Sequence, residues 1–134
     1  MSGIKILVAS DGSELSKKAI ETAVELAMQL GGELVGMTSV VGPAPEGGFE
    51  AESEQVRERL GEISKKAAEK GVRCEVVAEH CDAVWKGILN CAAEHDVRFI
   101  VMASRGLSTI GSLILGSETQ KVVHQADRPV LVVR

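Results

Sequence analysis

Apolar and polar positions along the chain switch repeatedly between a strand period and a helix period. "IKILVA" (Ile4 to Ala9) is a short apolar, β-branched run ended by "SDGS", the pattern of a strand buried on both faces. Leu15, Ala19, Ala23, Leu26 and Leu30 follow at three- and four-residue spacing and predict one apolar face of a helix, stopped by Gly31 and Gly32. "ELVGMTSVV" (Glu33 to Val41) reads as a second strand. "GPAPEGG" (Gly42 to Gly48) reads as a flexible connection of turn residues. Val56, Leu60, Ile63 and Ala67 mark a second helix, closed by Gly71. "VRCEVVAE" alternates apolar Val72, Cys74, Val76 and Ala78 with a more polar set, which fits a strand near the sheet edge.

The alternation continues to the C-terminus. Asp82 is placed to cap a third helix carrying Val84, Ile88, Cys91 and Ala92. "VRFIVMA" (Val97 to Ala103) predicts the fourth strand. Ser117 and Gln120 have the spacing of a capping box for a fourth helix with Val122, Val123 and Ala126. "RPVLVV" is the last strand, with Pro129 at its first position, where a missing N–H is tolerated. Strands and helices in strict alternation predict an α/β fold, a single-domain open parallel five-stranded sheet with helices on both faces. With 134 residues, the chain is expected to form one domain spanning 1–134.

Composition narrows the function classes. Aromatic residues make up 2% of the chain, which argues against a base-stacking surface for single-stranded nucleic acid. The net charge is −4 and the basic residues form no stripe, so no nucleic-acid partner is expected. Cys74, Cys81 and Cys91 form no C-x-x-C pair and read as reduced, buried hydrophobes. His80, His95 and His124 have no metal-ligand spacing and read as surface or helix-end residues. "MSGIKILVAS" lacks the pattern of a signal peptide, and no apolar run approaches the ~20 residues of a membrane helix, so a cytoplasmic location and no membrane partner are expected.

In open parallel sheets ligands sit beyond the carboxyl ends of the strands, where strand order reverses. Two such ends are chemically equipped: "SDG" after the first strand and "ASRG" after the fourth. The second opens the stretch "ASRGLSTIGSLILGSETQ", rich in glycine and hydroxyl residues. It is not a Walker loop, because neither Gly106–Gly111 nor Gly111–Gly116 is followed by the required lysine. The dinucleotide fingerprint G-x-G-x-x-G is absent after the first strand.

A different pattern matches. Gly106 is followed by the nine residues "LSTIGSLIL" and then by Gly116 and Ser117. Together with "ILVASDGSELSKKAIETAVELA" at the start and "LILGSETQKVVHQADRPVLVV" at the end, the whole chain resembles the universal stress protein family. Nucleotide-binding members carry G-x-x-G, nine residues, then G-[ST]. The first glycine of that motif falls on Ala103 here, a methyl group that is tolerable where φ is negative.

The resemblance implies a Rossmann-like, adenine nucleotide alpha hydrolase-like fold with strand order 3-2-1-4-5. It implies a stress-response regulatory role, with ATP and Mg²⁺ as ligands and at most slow hydrolysis. The implied contacts are Ala9, Ser10 and Asp11, with Asp11 near the ribose or the metal. Ser39 and Val40 would meet adenine. Met102, Ala103, Ser104, Arg105 and Gly106, then Gly116, Ser117 and Glu118, would surround the phosphates. The physical basis is general: glycine lets backbone approach a ligand, and a helix N-terminus favours an anion.

Each of these residues also has a plain structural reading. Asp11 is a natural turn residue in "SDGS", Arg105 is as readily solvated, and Met37 and Met102 are most simply core. No Ser-His-Asp or Cys-His set can be read from the chain, so an enzyme is not expected. The rival readings are a non-nucleotide-binding dimeric interaction module of the same fold and a phosphate-chemistry enzyme such as a nucleotidyl transferase. "PVLVV" at the chain end has no helix after it, which predicts a homodimer through the C-terminal strand; the resemblance implies the same.

Overall fold

Short apolar runs and amphipathic helices of this kind bury their surface only by stacking in layers, and the computed structural model of the protein, which describes residues 3–106 and 115–134, shows that arrangement. The elements are β1 (Lys5–Ala9), α1 (Glu14–Leu30), β2 (Glu33–Val41), a short 3-10 helix (Gly48–Ala51), α2 (Glu54–Glu69), β3 (Cys74–Cys81), α3 (Val84–Glu94), β4 (Phe99–Ala103), α4 (Ser117–Gln125) and β5 (Val130–Val133). The five strands form one sheet in the order β3-β2-β1-β4-β5, and every neighbouring pair is parallel. The α/β class, the helices on both faces and the strand order 3-2-1-4-5 are as expected.

Two apolar layers flank the sheet. On one face Ile6 and Val8 of β1 pack with Ala19, Ile20, Ala23, Val24 and Ala27 of α1 and with Val56, Leu60, Ile63 and Ala67 of α2. On the other, Leu7, Ala9, Val35, Met37, Ile100 and Met102 pack with Ile88, Cys91 and Ala92 of α3 and Val122 of α4. Fully burying Leu60 or Ile63 contributes about 1.5–3 kcal/mol each. Gly36 allows α2 to lie close: a Cβ there would stand 2.5 Å from Ile63 Cγ2. Burial pushes the Cys91 thiol up to about 12, so at neutral pH it is simply a packed apolar group.

Several local expectations are corrected. The inward stripe of α1 is Ala19, Ile20, Ala23, Val24 and Ala27; Leu30 is exposed, and Leu15 and Leu26 only flank the stripe. Small residues on that stripe let the helix sit close to the sheet. Asp82 does not cap α3: the cap is Ala83, with no side-chain bond. β4 begins at Phe99 rather than Val97, because the Val97 N–H donates to Ala92 O and closes the end of α3. Asp96 makes that turn at φ 49, a conformation Asp tolerates better than most residues.

His80 is neither a surface nor a helix-end residue. It lies on β3, and its Nε2 is 2.7 Å from Glu52 Oε2, with both side chains largely buried. The pair fastens the segment after the 3-10 helix to the sheet. His95 does sit at a helix end, as the C-cap of α3, and His124 lies exposed in the last turn of α4.

Candidate functional site

The carboxyl ends of β1, β2 and β4 open into a cavity of about 280 Å³. The turn after β1 forms its centre. Ser10 N–H donates to Met37 O at 3.0 Å, carrying the β1–β2 pairing one residue past the strand. The chain then reverses at Gly12, whose φ of 84 is costly for any residue with a side chain. The start of α1 clamps Asp11: its Oδ1 accepts from Ser13 N–H at 3.0 Å and from Ser16 Oγ at 2.8 Å. Ser16 Oγ in turn accepts from Asp11 N–H at 3.3 Å, and Ser13 caps α1.

The other carboxylate oxygen, Oδ2, faces Gly106, where a Cβ would collide with it. What disfavours a side chain at 106 is therefore the Asp11 carboxylate, since the backbone there is outside the left-handed region. The strand ends β1 and β4 are locked at this point, since any side chain on residue 106 would push the carboxylate from its place.

β4 supplies Met102 and Ala103, both buried and both lining the cavity. Ala103 stays in the extended strand. Among the described residues the one non-glycine with positive φ is Asp96, so the alanine meets the condition its methyl group sets. Ser104, which the resemblance places around the phosphates, is engaged elsewhere. Its N–H donates to Val133 O at 2.7 Å, and its carbonyl accepts from Gly116 N–H at 2.7 Å. Ser104 thus joins β4, β5 and the start of α4, and it does not line the cavity.

The start of α4 is also unlike the expected capping box. Gly116, not Ser117, is the N-cap, in an extended conformation that supplies no side-chain bond. Gln120 Nε2 turns away to donate to Leu115 O at 2.7 Å. Ser117 is the first helical residue and is exposed. The first amides of α4 are left without a side-chain cap, while Gly116, Ser117, Glu118 and Thr119 all reach the cavity wall. Thr119 Oγ1 donates to Ala103 O at 2.9 Å, tying the helix start to β4. Glu118 Oε1 accepts from Trp85 N–H at 3.0 Å, so one carboxylate caps α3 from the neighbouring helix.

Of the residues singled out in the sequence, Ala9, Ser10, Asp11, Ser39, Met102, Ala103, Arg105, Gly106, Gly116, Ser117 and Glu118 converge on the cavity. Val40 and Ser104 do not; Val40 packs against the α1/α2 layer. The hydroxyl of Ser39 is engaged with Val84 O at 2.8 Å. Sequence reasoning missed Ser16, Thr38, Arg59 and Thr119. Thr38 carries a signal of a kind, one of two adjacent hydroxyls in a largely apolar strand. Arg59 carries none, since it is one charge among many on α2.

The wall is of mixed charge, with Asp11 and Glu118 against Arg59 and Arg105, over an apolar floor of Val84, Ile88 and Met102. Magnesium usually takes one or two carboxylates and completes its shell with phosphate and water. Asp11 fits that role as a single carboxylate; among the described residues no group of three His, Cys, Asp or Glu converges on a metal position.

Comparison with known proteins agrees with this architecture. The universal stress protein family profile matches residues 4–134. Universal stress protein YxiE of Bacillus subtilis (strain 168) is 37% identical over 146 residues, covering 97% of this chain and 98% of that protein. A universal stress protein solved in complex with cAMP superposes with a TM-score of 0.78 at 21% identity, covering 100% of this chain and 99% of the other. The universal stress protein from Archaeoglobus fulgidus in complex with dAMP superposes with a TM-score of 0.76 at 22% identity, over 100% of both chains. The two structural likenesses speak for the fold, and the ligands belong to those proteins. Sequence and fold together place this chain in the universal stress protein family.

Proposed function

We propose that the chain is a stress-response regulatory protein that binds an adenine nucleotide, ATP with Mg²⁺, at the carboxyl ends of β1 and β4. The observation that carries this is the uncapped start of α4. Its N-cap Gly116 and first residues face the same cavity as Gly106 and the clamped Asp11. Unpaired amides and the helix dipole at such a start favour a phosphate group. Ser117, Arg105 and Gly106 surround the phosphates in this reading, and Asp11 meets the ribose or the metal. Mg²⁺, when bound, neutralises phosphate charge that would otherwise repel Asp11. The cAMP and dAMP complexes of proteins with the same fold support an adenine ligand.

The protein acts as a single-domain, cytoplasmic homodimer joined through β5, and hydrolyses ATP slowly at most. The cavity's carboxylates are committed to Ser13, Ser16 and Trp85, so neither is an obvious general base. Calorimetry with Mg-ATP tests the reading directly. Saturable binding with thermal stabilisation is expected; no heat and no stabilisation at millimolar ATP would sink it. The second reading, a dimeric interaction module that binds no nucleotide, draws on Ser104, whose amide is already spent on β5. Mass spectrometry of the denatured, purified protein separates the two, since recovered ATP or AMP excludes the second.

A further inference from the structure

The cavity has a second equipped wall, on the α2 side of the sheet. Side chains alternate along β2, and Gly36 faces Ile63 of α2. Thr38, two residues on, therefore points to the same side. It is 1% exposed, lines the cavity, and its Oγ1 has no hydrogen-bond partner among the described residues. A buried hydroxyl left unpaired costs about 1–3 kcal/mol, so a partner supplied from the cavity would recover a real penalty.

Arg59 of α2 lines the same cavity. It lies against the backbone of Gly12, where a Cβ would meet Arg59 Nε at 2.9 Å. A side chain at 12 would strain the turn and move the guanidinium from its place. Arg59 is half-buried, reaches the cavity, and forms no ion pair among the described residues.

The sheet order separates this wall from the phosphate corner. Gly106, Gly116 and Ser117 belong to the end of β4 and the start of α4, while Thr38 and Arg59 belong to β2 and α2, with β1 between them. Strands lie about 4.8 Å apart, so Thr38 at the end of β2 stands roughly 10 Å from the end of β4, and the Arg59 side chain lies against the β1 turn at Gly12 between them. A nucleotide whose phosphates occupy the α4 corner presents its nucleoside end to β2.

We propose that Thr38 and Arg59 form a nucleoside-recognition subsite. The Thr38 hydroxyl and the guanidinium N–H groups bond acceptor atoms of the base or ribose, and the planar guanidinium covers the ligand from the α2 side. The subsite rests on the nucleotide-binding reading and extends it to residues that carry no phosphate-loop signature.

Calorimetric titration of the full chain, Thr38→Val and Arg59→Gln with adenosine, AMP and ATP tests it. Thr38→Val preserves shape, and circular dichroism checks that both variants are folded. A group that touches the nucleoside weakens all three ligands by one common factor, here about tenfold for each variant. Unchanged affinities in Thr38→Val would overturn the subsite while leaving nucleotide binding intact. So would a loss in Arg59→Gln that grows with the number of phosphates, since Arg59 would then serve the phosphate corner. Wild-type protein that takes up none of the three ligands removes the nucleotide reading, and the subsite with it.

Discussion

At the scale of single residues, the contact between Asp11 and Gly106 ties the two halves of the site together. The carboxylate is held on one oxygen by Ser13 and Ser16, and the other oxygen lies against the α-carbon of residue 106. Gly106→Ala is therefore expected to displace Asp11, breaking charge-assisted hydrogen bonds worth about 1.5–3 kcal/mol each. Thermal denaturation should show a lower Tm, and Mg-ATP affinity should fall by more than tenfold. An alanine variant with wild-type Tm and affinity would show that the carboxylate has room to yield. Asp11 and Gly106 were legible in the sequence because strand-end turns and spaced glycines leave local patterns. Arg59 and Thr38 were not, because their place in the wall depends on how α2 crosses β2, and no local spacing encodes that.

At the scale of elements, caps decide what a helix end is free to do. Ser-x-x-Gln at 117–120 has the spacing of a capping box, yet the fold sets the helix start one residue earlier. The Gly116 N–H is drawn to Ser104 O, which fixes the register at which the helix begins. Gly116 is extended, at φ −61 and ψ 155, so other residues are accommodated there without backbone strain. Gly116→Asp would place a capping carboxylate on the amides offered to phosphate. The expected result is an unchanged or slightly higher Tm, since Asp and Gly caps differ by only a few tenths of a kcal/mol, together with loss of ATP binding. Retained binding would move the phosphates away from α4.

A second element-scale prediction concerns β3 and α3. Burial raises the Glu79 carboxyl above its ordinary value, reinforced by the charge of Glu94 and a hydrogen bond to it. A raised folded-state pKa favours the protonated form in the fold. Its stabilising contribution is thus complete below the unfolded value, near 4.5, and is lost as pH rises through the folded one. Above that range the ionised Glu79 is disfavoured by burial and by the neighbouring Glu94. Glu79→Gln is expected to raise Tm at neutral pH, with the gain shrinking as the pH is lowered toward 4. A variant less stable at pH 7 would show that the attraction of His95 and His80 for the ionised Glu79 outweighs burial and Glu94.

At the scale of the whole molecule, the alternating pattern made the fold class legible, and the two sheet edges now separate by chemistry. β3 exposes an edge whose strand carries Glu75 and Glu79, and charged side chains discourage strand addition. β5 occupies the other edge with "VLVV", free of charge until Arg134, and Leu131 is 41% exposed. An apolar, uncharged edge strand facing its own copy across a two-fold axis gives a self-complementary seam. The proposed homodimer therefore belongs at β5 and not at β3. Leu131 contributes little to the monomer's core at that exposure, so Leu131→Arg should leave the far-ultraviolet circular dichroism unchanged. Like charges would then meet across the axis, and light scattering at micromolar concentration should give a monomer where the wild type gives a dimer. A wild-type monomer would remove the dimer altogether, whereas a Leu131→Arg variant that stays dimeric would move the interface off β5.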